Sequence, residues 1–358
     1  MHCCQRTARL RLLKTMNKYF RYPEYTYLCD SRGIGKRGAR QYMKNGTLLL
    51  RSSRRAMERL AESHDFFAGS EVALWNLRWQ MAGFSSMSKG VTQPLISAKF
   101  ADHLGRKGSN AYSLILQRSW KESEATLNQM RLLSVFSIYE AWADETSQEL
   151  GLSASKHSKW KDLVQAKRPA LLSAPRRSIG PIIGPNYRQM ADVARRCRSS
   201  SIYMPSRLAT LGLCYRAFKE LRNAMAHAGG TATLRTVTAV NNYHSALKYW
   251  KGITKSPPAI GSLSVGDVVE VSDYSVVGLA EVLRIQIFTF DGMVSGSRAA
   301  YDASVAHFQS QIRTPMRLPT NPSRREASFV RAWRAAALPA PVKAPRLMHD
   351  LIARGLLV

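Results

Sequence analysis

The stretch SEATLNQMRLLSVFSIYEAWADETSQEL (123–150) leaves a chain like this little choice but one long helix. Leu132, Phe136, Tyr139 and Ala143 recur along a helical stripe, and the stripe is broad. Ser123 is placed to cap the first turn, Glu122 and Glu124 lie near the positive end of the helix dipole, and Gly151 follows the end. A stripe this wide predicts a central helix of a bundle.

A second stripe begins after Ser206, which the sequence offers as an N-cap. Leu208, Leu211, Tyr215, Phe218 and Met225 follow at intervals of 3, 4, 3 and 7. Another helix is expected at 232–250. Residues 54–84 read as two helical segments broken near Gly69 and Ser70, with Leu74, Trp75, Leu77 and Trp79 on broad apolar faces and the two tryptophans packed in the core. Residues 85–108 read as a linker. Residues 154–210, punctuated by Pro169, Pro175, Pro181, Pro185 and Pro205, read as loops around one short helix at 186–198. GDVVEVSDY (266–274) reads as a short strand or hairpin segment, and the apolar stretch at 275–292 fits helix or strand. Residues 322–337 read as a basic helix and 346–358 as a last short one. The expected fold class is all-α: a helical bundle with a short β segment and basic N- and C-terminal extensions. The regions are 1–105, 106–295 and 296–358.

Charge narrows the partners. The chain has 53 Lys and Arg against 24 Asp and Glu, a formal charge of +29. Self-repulsion of that size calls for an anionic partner, with nucleic acid first and an acidic membrane surface or acidic protein after it. Residues 1–60 carry 15 basic and 3 acidic residues, 154–210 carry 12 and 2, and 296–358 carry 10 and 3. Tyr19, Phe20, Tyr22, Tyr25, Tyr27 and Tyr42 lie among Lys18, Arg21, Arg40 and Lys44, as on a surface that pairs phosphates and stacks bases. A solvated basic arm or an organelle transit peptide would use the same residues. SRGIGKRGAR (31–40) lacks P-loop spacing and reads as a basic turn. No apolar run reaches about 18 residues, so no membrane span is expected. The five cysteines have neither zinc nor redox spacing, which fits a reducing, cytoplasmic setting with Cys214 in the core. No cofactor or metal ligand set is indicated.

The chemistry concentrates in LRNAMAHAGG (221–230), where a helix should end. Asn223 and His227 are four apart and share a face; Arg222 lies five before His227, about 140° round the helix. Cleaving an RNA phosphodiester needs a base for the 2′-hydroxyl, an acid for the 5′-oxygen and a cation for the charged transition state. Histidine can serve as either proton carrier, arginine suits phosphate, and asparagine can bind a phosphate oxygen or fix the imidazole tautomer. One such set supplies one histidine, so two sets facing each other would complete the chemistry, which implies a homodimer. A histidine at a helix end is also a simple dipole partner, and Arg222 a surface cation. Upstream, Ser137, Glu140 and Asp144 form a polar line at spacings of 3 and 4. Two acids so placed call for a cation, and Arg222, positioned by Glu140, is a candidate; a solvent-facing acidic edge is the alternative.

LRNAMAHAGG resembles the signature of the HEPN superfamily (higher eukaryotes and prokaryotes nucleotide-binding domains). Arg222 matches the family's arginine, Asn223 its frequent polar neighbour and His227 its histidine, with four residues between Arg and His. FSIYEAWADE (136–145) resembles the other core helix of several HEPN families, and the segment through GDVVEVSDY resembles the tail of such domains. The likeness covers roughly 120–292, about half of the chain. It implies a helical bundle, often a homodimer with the motifs facing across the interface, and a metal-independent endoribonuclease acting on RNA. It also implies service as a toxin, restrained by an inhibitory antitoxin protein, or as an antiviral-defence effector. Arg222, Asn223 and His227, with Glu140, would then be the catalytic set. A non-catalytic RNA- or nucleotide-binding protein on the same scaffold is the alternative.

Overall fold

The computed structural model describes residues 48–87, 92–101, 110–312 and 314–358. The basic aromatic segment, SRGIGKRGAR and the first three cysteines lie outside the described residues. The helices are α1 (Arg51–Met87), α2 (Gln93–Ala101), α3 (Trp120–Glu149), α4 (Ala154–Val164), α5 (Pro175–Ile183), α6 (Ala191–Arg198) and α7 (Leu208–His227). They continue with α8 (Leu234–Ala246), α9 (Asp273–Val294), α10 (Arg298–Gln311), α11 (Pro322–Ala335) and α12 (Pro345–Ala353). The fold is all-α. α1 lies along α3, α8 lies along α7, and α9 touches α1, α3, α6 and α7.

α3 is the long helix the stripe predicts, but it starts earlier. Ser119, not Ser123, is the cap: its hydroxyl accepts from the Glu122 amide at 3.2 Å, and the Glu122 carboxylate accepts from the Ser119 amide at 2.7 Å. This reciprocal box satisfies two amides that a helix start otherwise leaves unpaired. Leu132, Val135, Phe136, Tyr139, Trp142 and Ala143 are buried along its length. Gly151, at φ 62°, takes the left-handed turn that ends it.

Several segments depart from the sequence expectation. α1 runs unbroken through Gly69 and Ser70, because Phe67 and Glu71 on either side both contact Arg131 of α3. Trp75 and Trp79 are not in the core. Trp75 packs edge-on against Trp120 and Trp79, and Trp79 is exposed. The 85–108 stretch contains α2, whose Ile96 is buried with Met81 and Ala111 in a small satellite cluster. Residues 154–210 hold three helices rather than one, since Pro175 opens α5 and Pro169 and Pro205 open single turns. Ser206 lies in the Pro205–Arg207 turn and caps nothing.

The expected β segment shrinks to one isolated bridge, Thr231 to Val268. Residues 230–232 are the whole of its available partner, because α7 ends just before them and the Thr233 cap of α8 follows at once. The ambiguous apolar stretch is helix α9. From Ile285 to Val294 every residue is buried, which is how a helix with β-branched residues on all sides survives. The C-terminal region is not an appended extension. Tyr301, Phe308, Phe329, Trp333, Leu351 and Leu357 join the same buried core as α3 and α7.

Two carboxylates fasten the start of α1. Asp291 of α9 accepts from the amides of Leu49 and Leu50 at 2.7 and 3.0 Å, and Glu149 of α3 accepts from those of Arg51 and Ser52, both at 2.8 Å. Burial pushes the Asp291 carboxyl up to about 6, although both amides, Ser53 and Arg54 pull it down. Asp291→Ala should destabilise the fold by about 1–3 kcal/mol for each orphaned amide, read by urea unfolding. The folded value lies above the 3.8 of a free aspartate, so the folded state holds the proton more tightly. The Asp291 contribution to stability therefore falls as pH rises from about 4 to about 6, by about 3 kcal/mol, and is level above that. In Asp291→Asn this component should vanish, so the stability gap to wild type should narrow as pH rises from 4 to 6. A gap independent of pH would refute the assignment.

Candidate functional site

α7 carries the LRNAMAHAGG stretch. Its lead-in is the Pro205–Arg207 turn, and Leu208, Leu211, Cys214, Tyr215, Phe218 and Leu221 are buried along it. Met225, at the end of the expected stripe, is only partly buried. The helix stops at His227. The amides of Ala228 and Gly230 both donate to the Ala224 carbonyl, at 3.0 and 3.1 Å, and Gly229 and Gly230 take φ of 61° and 81°. Side chains are strained in that backbone region, which accounts for the two glycines.

The last three turns of α7 present two polar faces about 100° apart. Tyr215, Lys219 and Arg222 share the first, which faces α3. There the Arg222 Nη2 donates to Glu140 Oε1 at 2.8 Å, and Lys219 Nζ lies 3.4 Å from the same oxygen. The Arg222 guanidinium also sits 5.2 Å over the Phe136 ring. The expected Glu140–Arg222 contact is thus present, and Lys219 is an addition. Burial pushes the Lys219 ammonium down, and Arg222 and Lys167 push it further, against the pull of Glu140. A hydrogen bond to Gln165 Oε1 at 3.0 Å holds it as well.

Arg216, Glu220, Asn223 and His227 share the second face, at spacings of 4, 3 and 4. Glu220 is buried. Its Oε1 lies 3.1 Å from Arg235 Nε of α8 and 3.6 Å from Arg216 Nη2. Asn223 Nδ2 reaches Glu220 Oε2 at 3.5 Å. His227 is exposed, and among the described residues it forms no hydrogen bond or ion pair.

The structure therefore brings Glu140 and Arg222 together, ties Asn223 to a different acid, and leaves His227 at the helix end on Asn223's face. The Ser137–Glu140–Asp144 line does not act as a unit. Ser137 is exposed, and Asp144 pairs with Lys161 at 2.8 Å and His157 at 3.3 Å. Lys219, Glu220 and Arg235 were missed by sequence reasoning. The spacings 216–220–223–227 and 215–219–222 carried the signal for the first two. Arg235 was invisible because α8 meets α7 only after a turn. Cys197 and Cys214 are buried thiols that burial pushes up, far from the reactive range. Among the described residues no group of three or more His, Cys, Asp or Glu could hold a metal ion, and no helix is long and apolar enough to cross a membrane.

Comparison with family models, with curated proteins and with solved structures finds no match to this chain.

Glu140 separates two cations that otherwise face each other. Glu140→Ala should destabilise the fold by about 1–3 kcal/mol, less than for a fully buried pair because Glu140 is 32% exposed. Adding Lys219→Met to that variant should restore part of the loss in chemical denaturation. Additive losses would show that the two cations do not share the carboxylate.

Proposed function

We propose that this protein is a HEPN-like, metal-independent endoribonuclease. One observation carries the reading: His227 stands exposed, and unpartnered among the described residues, at a glycine-closed helix end, while Arg222 is held one to two turns back by Glu140. An exposed imidazole is accessible to a substrate and can both accept and donate a proton. In the proposed reaction the 2′-hydroxyl loses its proton to an imidazole and attacks phosphorus. The bond from phosphorus to the 5′-oxygen breaks, a second imidazole protonates that oxygen, and a 2′,3′-cyclic phosphate remains. Arg222 would stabilise the charge on the phosphoryl oxygens, and Asn223 would orient His227 or the phosphate. Two copies of the chain would supply the two histidines. The formal charge of +29 supports RNA as the substrate, held by phosphate contacts and sensitive to salt. Service as a toxin with a protein inhibitor, or in antiviral defence, belongs to the same reading.

A second reading rests on a different observation. Arg222 and Asn223 are both engaged by acids, Glu140 and Glu220, and not by His227. On that reading the chain binds RNA without cutting it.

His227→Ala should lower cleavage of a labelled mixed RNA in EDTA by at least about 100-fold. Fold and RNA affinity should stay near wild type, and the wild-type products should end in 2′,3′-cyclic phosphate. RNA binding with no cleavage by wild type between pH 5 and 9 would establish the binding reading instead, at pH values roughly spanning imidazole titration.

A further inference from the structure

The Glu140 cluster contains more positive charge and more donors than its own residues use. Lys219 and Arg222 share a single carboxylate oxygen. Beneath them lies an aromatic floor: Tyr215 packs 5.3 Å from Phe136 and 5.2 Å from Tyr139 between ring centroids. Lys219 Nζ sits 5.7 Å from the centre of the Tyr215 ring. The Tyr139 hydroxyl donates to the Val164 carbonyl at 2.9 Å. Among the described residues the Tyr215 hydroxyl, equally buried, has no hydrogen-bond partner, and neither does the buried Arg222 Nε. Such groups are costly to leave unpaired, and in a folded protein each calls for an explanation. An anionic ligand with several acceptor oxygens close together would remedy both deficits and balance the two cations. A phosphate group does so, and a guanidinium fork beside an ammonium suits it.

We infer that Lys219, Arg222 and the Tyr215 hydroxyl form a phosphate-binding subsite around Glu140, on the seam between α3 and α7. The subsite shares Arg222 with the ribonuclease reading but needs neither His227 nor cleavage. Lys219 and Arg222 each keep 19% of their side chains exposed, so the subsite opens at the surface, where a strand can pass. The phosphate is assigned to an RNA backbone. Lys219 and His227 are eight residues apart on α7, about 12 Å along the helix axis. Within one copy, a phosphate at Lys219 would therefore be a different one from that beside His227, with Arg222 between the two. Burial lowers the Lys219 ammonium, and Arg222 and Lys167 add to the effect, as expected where cations are in excess.

The test uses the full chain with Lys219→Met, Tyr215→Phe and His227→Ala. Two measurements are made: the rise in Tm on adding inorganic phosphate at constant ionic strength, and the affinity for single-stranded RNA across a salt series. The phosphate-induced rise should shrink in Lys219→Met and Tyr215→Phe and persist in His227→Ala. The slope of log affinity against log salt should fall by about 0.7 in Lys219→Met, because one backbone phosphate is no longer neutralised. Each variant's phosphate effect is read against its own Tm without phosphate, since Lys219→Met also loses the Gln165 hydrogen bond and the Glu140 contact. A smaller phosphate effect with an unchanged RNA slope would keep the subsite and assign it to free phosphate or a small phosphate ester. Unchanged phosphate and RNA responses in both variants would overturn it. Loss of cleavage in His227→Ala is scored separately, so the two readings fail independently.

Discussion

The first turn of α1 hangs on two carboxylates. Asp291 reaches it from α9 and Glu149 from α3, so four amides tie the first helix to two central ones. Neither acid faces a single partner, and the same economy recurs through the molecule. Glu140 serves Lys219 and Arg222, Glu220 serves Arg216, Arg235 and Asn223, Asp144 serves His157 and Lys161, and Glu145 serves Arg55 and Arg59. With 24 acids for 53 Lys and Arg, carboxylate is the scarce component, and the fold places it where helices meet. Replacing one acid therefore removes two contacts and leaves cations facing each other. Replacing one of the cations that share an acid leaves the acid still paired and relieves repulsion between the cations.

Helices α3 and α7 were legible because bulky aromatic and aliphatic residues at 3.6-residue spacing leave little else to build. Their exact starts were not, although Ser119 and Glu122 carry a readable capping box. The break assigned to Gly69 and Ser70 came from weighing local propensity alone. Contacts of Phe67 and Glu71 with Arg131 override it, and they join positions about sixty residues apart. The prolines of 154–210 misled in the opposite direction: Pro175 starts a helix, where a missing amide costs nothing. Asp291 could not have been found from sequence at all, since its two amides lie 241 and 242 positions away. A lone Asp within an apolar stretch gives no sign of its partners.

The candidate site divides in the same way. The contact between Glu140 and Arg222 followed from spacing and charge, because an acid line on one helix needs a cation from another. Lys219 shares the face of Arg222 at a spacing of 3 and was equally readable, but it lies outside the Arg-to-His interval. Glu220 sits on the face of His227 and Asn223, and its burial is what spacing cannot show: a glutamate at that position reads as surface until α8 supplies Arg235.

These anchors bear on how the end of α7 could work. Glu140 fixes one face of the helix to α3, and Glu220 fixes the other to α8. Packing of Tyr215, Phe218 and Leu221 completes the hold. Arg222 and Asn223 are thus positioned by rigid elements, the arrangement that precise recognition of a phosphate requires. His227 lies just beyond the last anchored turn, where the amides of Ala228 and Gly230 fold back to the Ala224 carbonyl and the Gly230 carbonyl accepts from the Val269 amide. Its ring is exposed and forms no hydrogen bond among the described residues, while the cations are held by acids. A fixed cation set and an accessible imidazole on one helix end suit a reaction in which a proton is first taken and then given. For this reason the unpartnered state of His227 weighs more toward catalysis than its sequence spacing from Arg222 does.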